Sequence, residues 1–379
     1  MIVDPDRKAE LVLHIGTHKT GSTFIQRTLA ASRALLAGAG WCYPDFLPAD
    51  NHARVLLPFT NGAPQALYRR QQVTDPAATL RQLDQQFAAR VAPGQRWVMS
   101  SEQASSMLDA AGWQDLLQFL GTHFSPIRLV VYYRRQDFHM CSAYGQNIKM
   151  GWDFDFGPDY LKRIRRRLDH LGHHAQLAGL SGCDELLARP YLERYKRAPL
   201  DLIADFASTV GLRLPDGEQW RTPPPGTNSS HTAEGIWLLK ALNPQLEWDQ
   251  QARPVFPAHR RAVVEAVRRV TEGPGLRPSE QLAAAVQAQF WPGNDVLVGQ
   301  VGRSSLWQEW LDQPIRVADE QALTIKPERL VELLTRLSAS AGPIDLGAPG
   351  LRAARTDSAG WRAAAGRLKR RLRGDVRSG

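Results

Sequence analysis

Cysteine is scarce: three residues in 379, Cys42, Cys141 and Cys183, far apart along the chain. That excludes a disulfide framework or a cysteine-ligated metal cluster and suits a reducing compartment. Long apolar runs are missing. None approaches the roughly 18–20 residues of a membrane span, and the start, Met1 to Glu10, is polar and charged, unlike a secretory signal. The ten histidines show no zinc-like spacing. His173-His174 reads as part of a solvated helix, and no metal site is expected. Lysine is rare, eight against 39 arginines, which fits a GC-rich bacterial genome and says nothing of function. No internal repeat is visible. A cytoplasmic protein is expected.

The formal charge of +9 suggests nucleic acid, but its location argues against that. Residues 352–379 hold nine Arg or Lys and two Asp, a net +7, so the other 351 residues carry only +2. In this tail Trp361, Ala364, Ala365, Leu368, Leu372 and Val376 follow helical spacing among basic residues. Such a helix suits an anionic membrane surface, at the inner face, or an acidic polymer; a solvated tail fits equally well.

The most informative stretch is Leu11-Val-Leu-His-Ile-Gly-Thr-His-Lys-Thr-Gly-Ser-Thr-Phe-Ile-Gln26. A short apolar strand enters a loop bearing Gly16, Lys19 and Gly21, and a helical pattern follows Ser22. A strand, a glycine-bearing loop and a helix N-terminus form an anion site, with amides pointing inward and about half a positive charge from the helix dipole. The glycines share the spacing of the nucleotide P-loop, but Ser22 stands where its lysine belongs and the lysine lies inside the loop.

A second segment has the same logic. Arg128 to Tyr133 reads as a buried strand, ends in Arg134-Arg135 and runs into a helix. Ligands of open α/β sheets sit at the carboxyl ends of strands, which places Arg134 at the same edge as Lys19. Ser142 follows Arg134 by eight residues.

Together the two segments resemble the sulfotransferases that use 3′-phosphoadenosine-5′-phosphosulfate (PAPS). Lys-Thr-Gly-Ser-Thr resembles their 5′-phosphosulfate loop, and Arg134 with Ser142 matches the spacing of their 3′-phosphate site. The likeness covers about residues 11–212, and implies that Gly16, Thr17, His18, Lys19, Thr20, Gly21, Ser22, Thr23, Arg134 and Ser142 bind PAPS. It implies a three-layer, P-loop-like parallel sheet flanked by helices, with a largely helical C-terminal part. The chain departs from the pattern twice. Arg135-Gln136 replaces the usual Asn/Asp-Pro, and only Val301-Gly-Arg-Ser-Ser305 stands for a late glycine-rich basic loop.

Sulfonyl transfer needs positioning and charge stabilisation, as phosphoryl transfer does. Lys19 is expected to neutralise charge on the bridging oxygen, with no metal required. Glu102, just beyond the strand Arg96–Ser101, is the first candidate base; its cap-like context also suits a helix cap. His18 is the second. His52, in an aromatic loop, and Arg135 are expected to contact the acceptor, a glycan or other polar molecule with a hydroxyl or amine. The basic run Lys162 to Arg167 reads as a solvated face that could also hold an acidic acceptor. Two other readings stay open: a P-loop kinase or NTPase, and a non-catalytic protein that docks acidic polymers.

Expected domains are a PAPS-binding α/β core (1–220), a helical part (221–345) and the basic tail (346–379). One helix is expected from Ser22 to about Ala37, an irregular loop from Trp41 to Gly62, and later helices near 231–242, 257–272, 278–289 and 319–340.

Overall fold

A computed structural model of the chain describes residues 8–224, 231–245, 258–318 and 325–340. They group into two compact units. One comprises Met1–Gln136, Arg166–Thr227 and Phe290–Gln313; the other comprises Asp137–Arg165, Asn228–Gln289 and Pro314–Gly379. The tail beyond residue 345 lies outside the described residues. No helix among the described residues is long and apolar enough to cross a membrane.

The first unit is built on five strands: β1 (Ala9–His14), β2 (Trp41–Cys42), β3 (Arg96–Ser100), β4 (Phe124–Arg134) and β5 (Glu185–Tyr191). Their order is β2-β3-β1-β4-β5, and every pairing is parallel. The expected α/β class is therefore the one observed. Leu11 and Val12 of β1, and Leu129, Val130, Val131, Tyr132 and Tyr133 of β4, have no exposed surface. Strands apolar on both faces need helices on both sides, as parallel sheets do.

β1 is the central strand, and the chain turns from one side of it to the other after β3. That reversal opens a crevice at the carboxyl ends of the strands. His14 pairs with Ser100 on one side and Val130 on the other, so β4 runs four residues further. The loop after β1 stays attached to that extension. Ile15 and Thr17 amides donate to the Val130 and Tyr132 carbonyls (2.9 and 3.0 Å), and the Tyr132 amide donates to the Gly16 carbonyl (2.5 Å).

Several elements depart from expectation. The helix after the loop is two helices, Ser22–Ala31 and Arg33–Gly38. Ser32 breaks it; its fully buried hydroxyl accepts the Arg221 amide (3.1 Å). The stretch 41–62 is not wholly irregular: β2 pairs with β3, and two 3₁₀ turns follow, Ala53–Val55 and Leu57–Phe59. The run Lys162 to Arg167 and the pair His173-His174 lie on two helices, Pro158–Leu168 and His170–Ala178. In the first, Lys162, Arg163 and Arg165–Arg167 are exposed over buried Tyr160, Leu161, Ile164 and Leu168. The second is not the solvated helix expected of His173-His174: His170 and His174 are buried, and the Tyr133 hydroxyl lies 3.1 Å from His173 Nδ1.

The expected helix 278–289 runs on as Glu280–Val301, through Pro292. Burial of Leu297 and Val298, and an amide pair between Asn294 and Gln136 (2.7 and 3.0 Å), oppose the roughly 3 kcal/mol that an interior proline costs. The unexpected helix Ser305–Asp312 follows, capped by the Ser304 hydroxyl on the Trp307 amide. Val301–Ser305, considered as a nucleotide-covering loop, is thus the joint between two helices.

The second unit is helical among its described residues. Helices Ala233–Leu242, Ala258–Val270 and Pro327–Ser340 form where those near 231–242, 257–272 and 319–340 were expected, with 319–324 outside the described residues. Arg260, 1% exposed, donates to the Lys149 and Ile148 carbonyls (2.7 and 3.0 Å) and so caps the end of the helix Gln136–Lys149.

Candidate functional site

The loop from Gly16 to Ser22 closes on itself. Gly16 and Gly21 have φ of +86° and +79°, and Lys19 also has a positive φ, +67°. A side chain at Gly16 would have no room, since a Cβ there would lie 2.8 Å from the Glu102 Cβ. Thr17, Thr20 and Ser22 turn their hydroxyls inward: Thr17 donates to the Tyr132 carbonyl (3.1 Å), Thr20 and Ser22 to that of Thr17 (2.6 and 3.4 Å). The Ser22 hydroxyl, expected to meet a ligand, contacts the Thr17 carbonyl in this loop. The amides of Thr20, Gly21, Ser22 and Thr23 donate to no protein acceptor among the described residues. Gly21 caps the helix without a side-chain bond. Uncapped amides at the start of a ten-residue helix are the donors an anion needs.

Glu102 sits against this loop, immediately beyond β3. Its Oε2 accepts from Gln26 Nε2 (2.6 Å) and its Oε1 from Gln103 Nε2 (3.2 Å). The following helix, Ala104–Met107, has no side-chain cap bond, so Glu102 is not capping it. Gln26 also donates to the Ser100 hydroxyl (3.2 Å), which lies 2.8 Å from His14 Nδ1. Burial drives the His14 imidazole down to about 3, so it stays neutral. A fixed polar chain, His14–Ser100–Gln26–Glu102, therefore leads from the sheet interior to the loop.

His18 contacts the Ser106 hydroxyl (2.8 Å). Desolvation lowers its imidazole below the ordinary value; Glu102 opposes that, while Arg167 and Lys19 add to it. Those influences bring Lys19, Glu102 and Arg167 into one electrostatic neighbourhood.

Arg134 ends β4 with its side chain 3% exposed. Its Nη1 donates to the Lys19 carbonyl (3.3 Å), its Nε to Glu193 Oε1 (2.5 Å), and its guanidinium lies 5.6 Å from the Tyr191 ring centre. The His170 Nε2–H donates to its carbonyl (2.7 Å). Lys19 and Arg134, 115 residues apart, are thus joined by a hydrogen bond.

Ser142, His52 and Arg135 were also expected to touch ligand or acceptor. Ser142 is half-buried in the helix Gln136–Lys149 and belongs to the second unit. His52 is 1% exposed; its Nδ1 accepts from the Ser100 amide (3.2 Å), and burial drives its imidazole down to about 3. It is a core residue and not an acceptor contact. Arg135 is also enclosed, at 1% exposure. Its Nη1 donates to the Leu311 carbonyl (3.1 Å) and the Gln313 carbonyl at the end of the helix Ser305–Asp312, and Trp291 lies against it. Among the described residues, no group of three or more His, Cys, Asp or Glu is arranged to hold a metal ion.

Gln26, Ser100 and Glu193 went unnoticed in the sequence as site residues, and Arg167 was noticed only as part of the basic run Lys162 to Arg167. Gln26 had a signal: a polar residue between Ile25 and Leu29 on the buried stripe of its helix. Glu193 follows β5 as Glu102 follows β3, so the strand-end rule applied to Glu102 also reaches it.

Fold and site together define a parallel α/β protein with a glycine-bearing strand–loop–helix at its switch point. No protein-family model matches the chain, and no curated protein does. Among solved structures, a sulfotransferase from Alicyclobacillus acidocaldarius is similar at a TM-score of 0.39 and 12% identity, over 78% of this chain and 98% of that one. The sulfotransferase domain from the curacin biosynthetic pathway is similar at 0.31 and 11%, over 56% and 77%. Likeness at this level carries no weight for chemistry, which rests on the residues themselves.

Proposed function

We propose that this protein is a PAPS-dependent sulfotransferase. The observation that carries the reading is the Arg134–Lys19 hydrogen bond. It ties a lysine-bearing anion loop to a strand-end arginine, the two groups that a nucleotide phosphorylated at both 5′ and 3′ positions requires. The donor fits the residues available: Gly16 keeps the loop clear against Glu102, and the helix amides lack protein acceptors.

In this reading the amides of residues 20–23 hold the 5′-phosphate, and Lys19 balances the charge that gathers on the leaving phosphate. Arg134, at the end of β4, takes the 3′-phosphate. Glu102 accepts the proton of the attacking hydroxyl or amine, held in place by Gln26 and Gln103. His18 stays neutral beside it and orients the incoming group. The acceptor is a glycan or another polar molecule.

Calorimetric titration of 3′,5′-ADP, ADP and ATP without Mg²⁺ tests this. Wild-type protein should prefer 3′,5′-ADP, and Arg134→Ala should lose at least tenfold of that preference, since a charge-assisted hydrogen bond contributes about 1.5–3 kcal/mol. Preference for ATP, or no nucleotide binding by the folded protein, would sink the reading.

A further inference from the structure

Glu193 occupies an unusual position for a carboxylate. It begins the 3₁₀ turn Glu193–Lys196 just past β5, at the crevice edge where Arg134 ends β4. An acidic group beside a phosphate-binding arginine repels the phosphate and competes for the arginine, so its presence needs a reason. The contacts supply one. Glu193 Oε1 takes the Arg134 Nε–H (2.5 Å), Oε2 pairs with Lys196 Nζ (2.7 Å), and its amide is fixed by Gln313 Oε1 (3.0 Å). Burial alone would raise the Glu193 carboxyl; the two cations override it and keep it ionised, below the ordinary carboxylate range. Arg134, Lys196 and Glu193 together keep a net charge of +1, so the carboxylate does not cancel the attraction for an anion.

A guanidinium is a planar fork, useful to phosphate only when its plane is set. Contacts that set it here include Glu193 at Nε, the Lys19 carbonyl at Nη1 and the Tyr191 ring. Of these, Glu193 is the charged one and makes the shortest contact. We infer that Glu193 is a positioning residue that fixes the plane of Arg134, and thereby determines how strongly the site prefers a nucleotide bearing a 3′-phosphate. This rests on the proposed PAPS-binding function.

Three substitutions separate geometry from charge. Glu193→Gln removes the charge but keeps an acceptor for Nε. Glu193→Asp keeps the charge but withdraws it by one methylene. Glu193→Ala removes both. The measured quantity is the ratio of 5′-AMP to 3′,5′-ADP dissociation constants, by calorimetry on the full chain. Glu193→Ala and Glu193→Asp should each lose about tenfold or more of that ratio, while Glu193→Gln stays within about threefold of wild type. In an Arg134→Ala background, Glu193→Ala should change nothing further, which a merely structural role would not produce. If Glu193→Ala failed to fold, the Asp and Gln variants would decide by themselves. A wild-type ratio in Glu193→Asp, or a loss in Glu193→Gln equal to that in Asp, would overturn the inference while leaving the nucleotide site intact. A wild-type protein that does not distinguish 3′,5′-ADP from 5′-AMP would overturn the proposed function and this inference together.

Discussion

Gly16→Ala tests the packing of the loop against Glu102. Two costs apply. The backbone at +86° is one that residues with a side chain rarely adopt, costing about 1–2 kcal/mol. The new methyl would also meet the Glu102 Cβ at 2.8 Å, with the Glu102 Cα at 3.1 Å, so backbone and side chain must move; such overpacking costs about 1–3 kcal/mol. Gly62→Ala is the matched control. Its φ is +87°, yet nothing lies within 4 Å of the added carbon. The pair therefore shares the backbone penalty and differs in the clash. Thermal unfolding followed by circular dichroism should show Gly16→Ala less stable than Gly62→Ala by about 1–3 kcal/mol. Calorimetry with 3′,5′-ADP should show at least tenfold weaker binding for Gly16→Ala alone, because the loop is displaced. Equal unfolding of the two variants with unchanged binding would refute the reasoning.

Acid should unfold this protein early. Burial lowers His14 and His52 to about 3 and His170 to about 4, against an ordinary 6.5. Each folds neutral, so its contribution is complete above about pH 6.5 and is lost as pH falls toward the folded value, roughly 2 kcal/mol per histidine by pH 5. Urea midpoints at pH 7.5 and pH 5 check this, and equal midpoints would contradict it. Gln26→Ala frees one oxygen of Glu102 and should lower kcat about tenfold or more with 3′,5′-ADP affinity unchanged; Glu102→Gln should cost about 10²–10⁴ in kcat. Unchanged turnover in both would remove Glu102 from the chemistry. Arg135→Ala strips the donor from the end of the helix Ser305–Asp312 and should destabilise by about 3 kcal/mol without altering preference among nucleotides. A changed preference would return Arg135 to the site.

The legible parts were those in which one short stretch carries its own physics. The strand–loop–helix around Lys19 announces itself by glycine spacing and a helix start, and β4 by five consecutive apolar or aromatic residues. Topology then brought Arg134 to Lys19 without further information, because parallel strands share one carboxyl edge. What escaped depends on partners far along the chain. β2 has two residues, too few for any periodicity, and exists because β3 has an open edge. His52 and Arg135 look like polar site residues by composition. The Ser100 amide claims one and the end of a helix 175 residues away claims the other. The helix expected near 278–289 continues through Pro292, and the buried Leu297 and Val298 beyond it reveal why. Gln26 and Glu193 matter through hydrogen bonds to residues far along the chain, which the sequence does not name.

The central claim is that Lys19 and Arg134 grip opposite ends of one ligand. Equilibrium dialysis with radiolabelled PAPS, on wild type, Lys19→Ala and Arg134→Ala, tests it most directly. Wild type should bind, and each substitution should weaken binding at least tenfold while circular dichroism shows the fold retained. Failure of the folded wild-type protein to bind PAPS, or binding insensitive to both substitutions, would contradict the account.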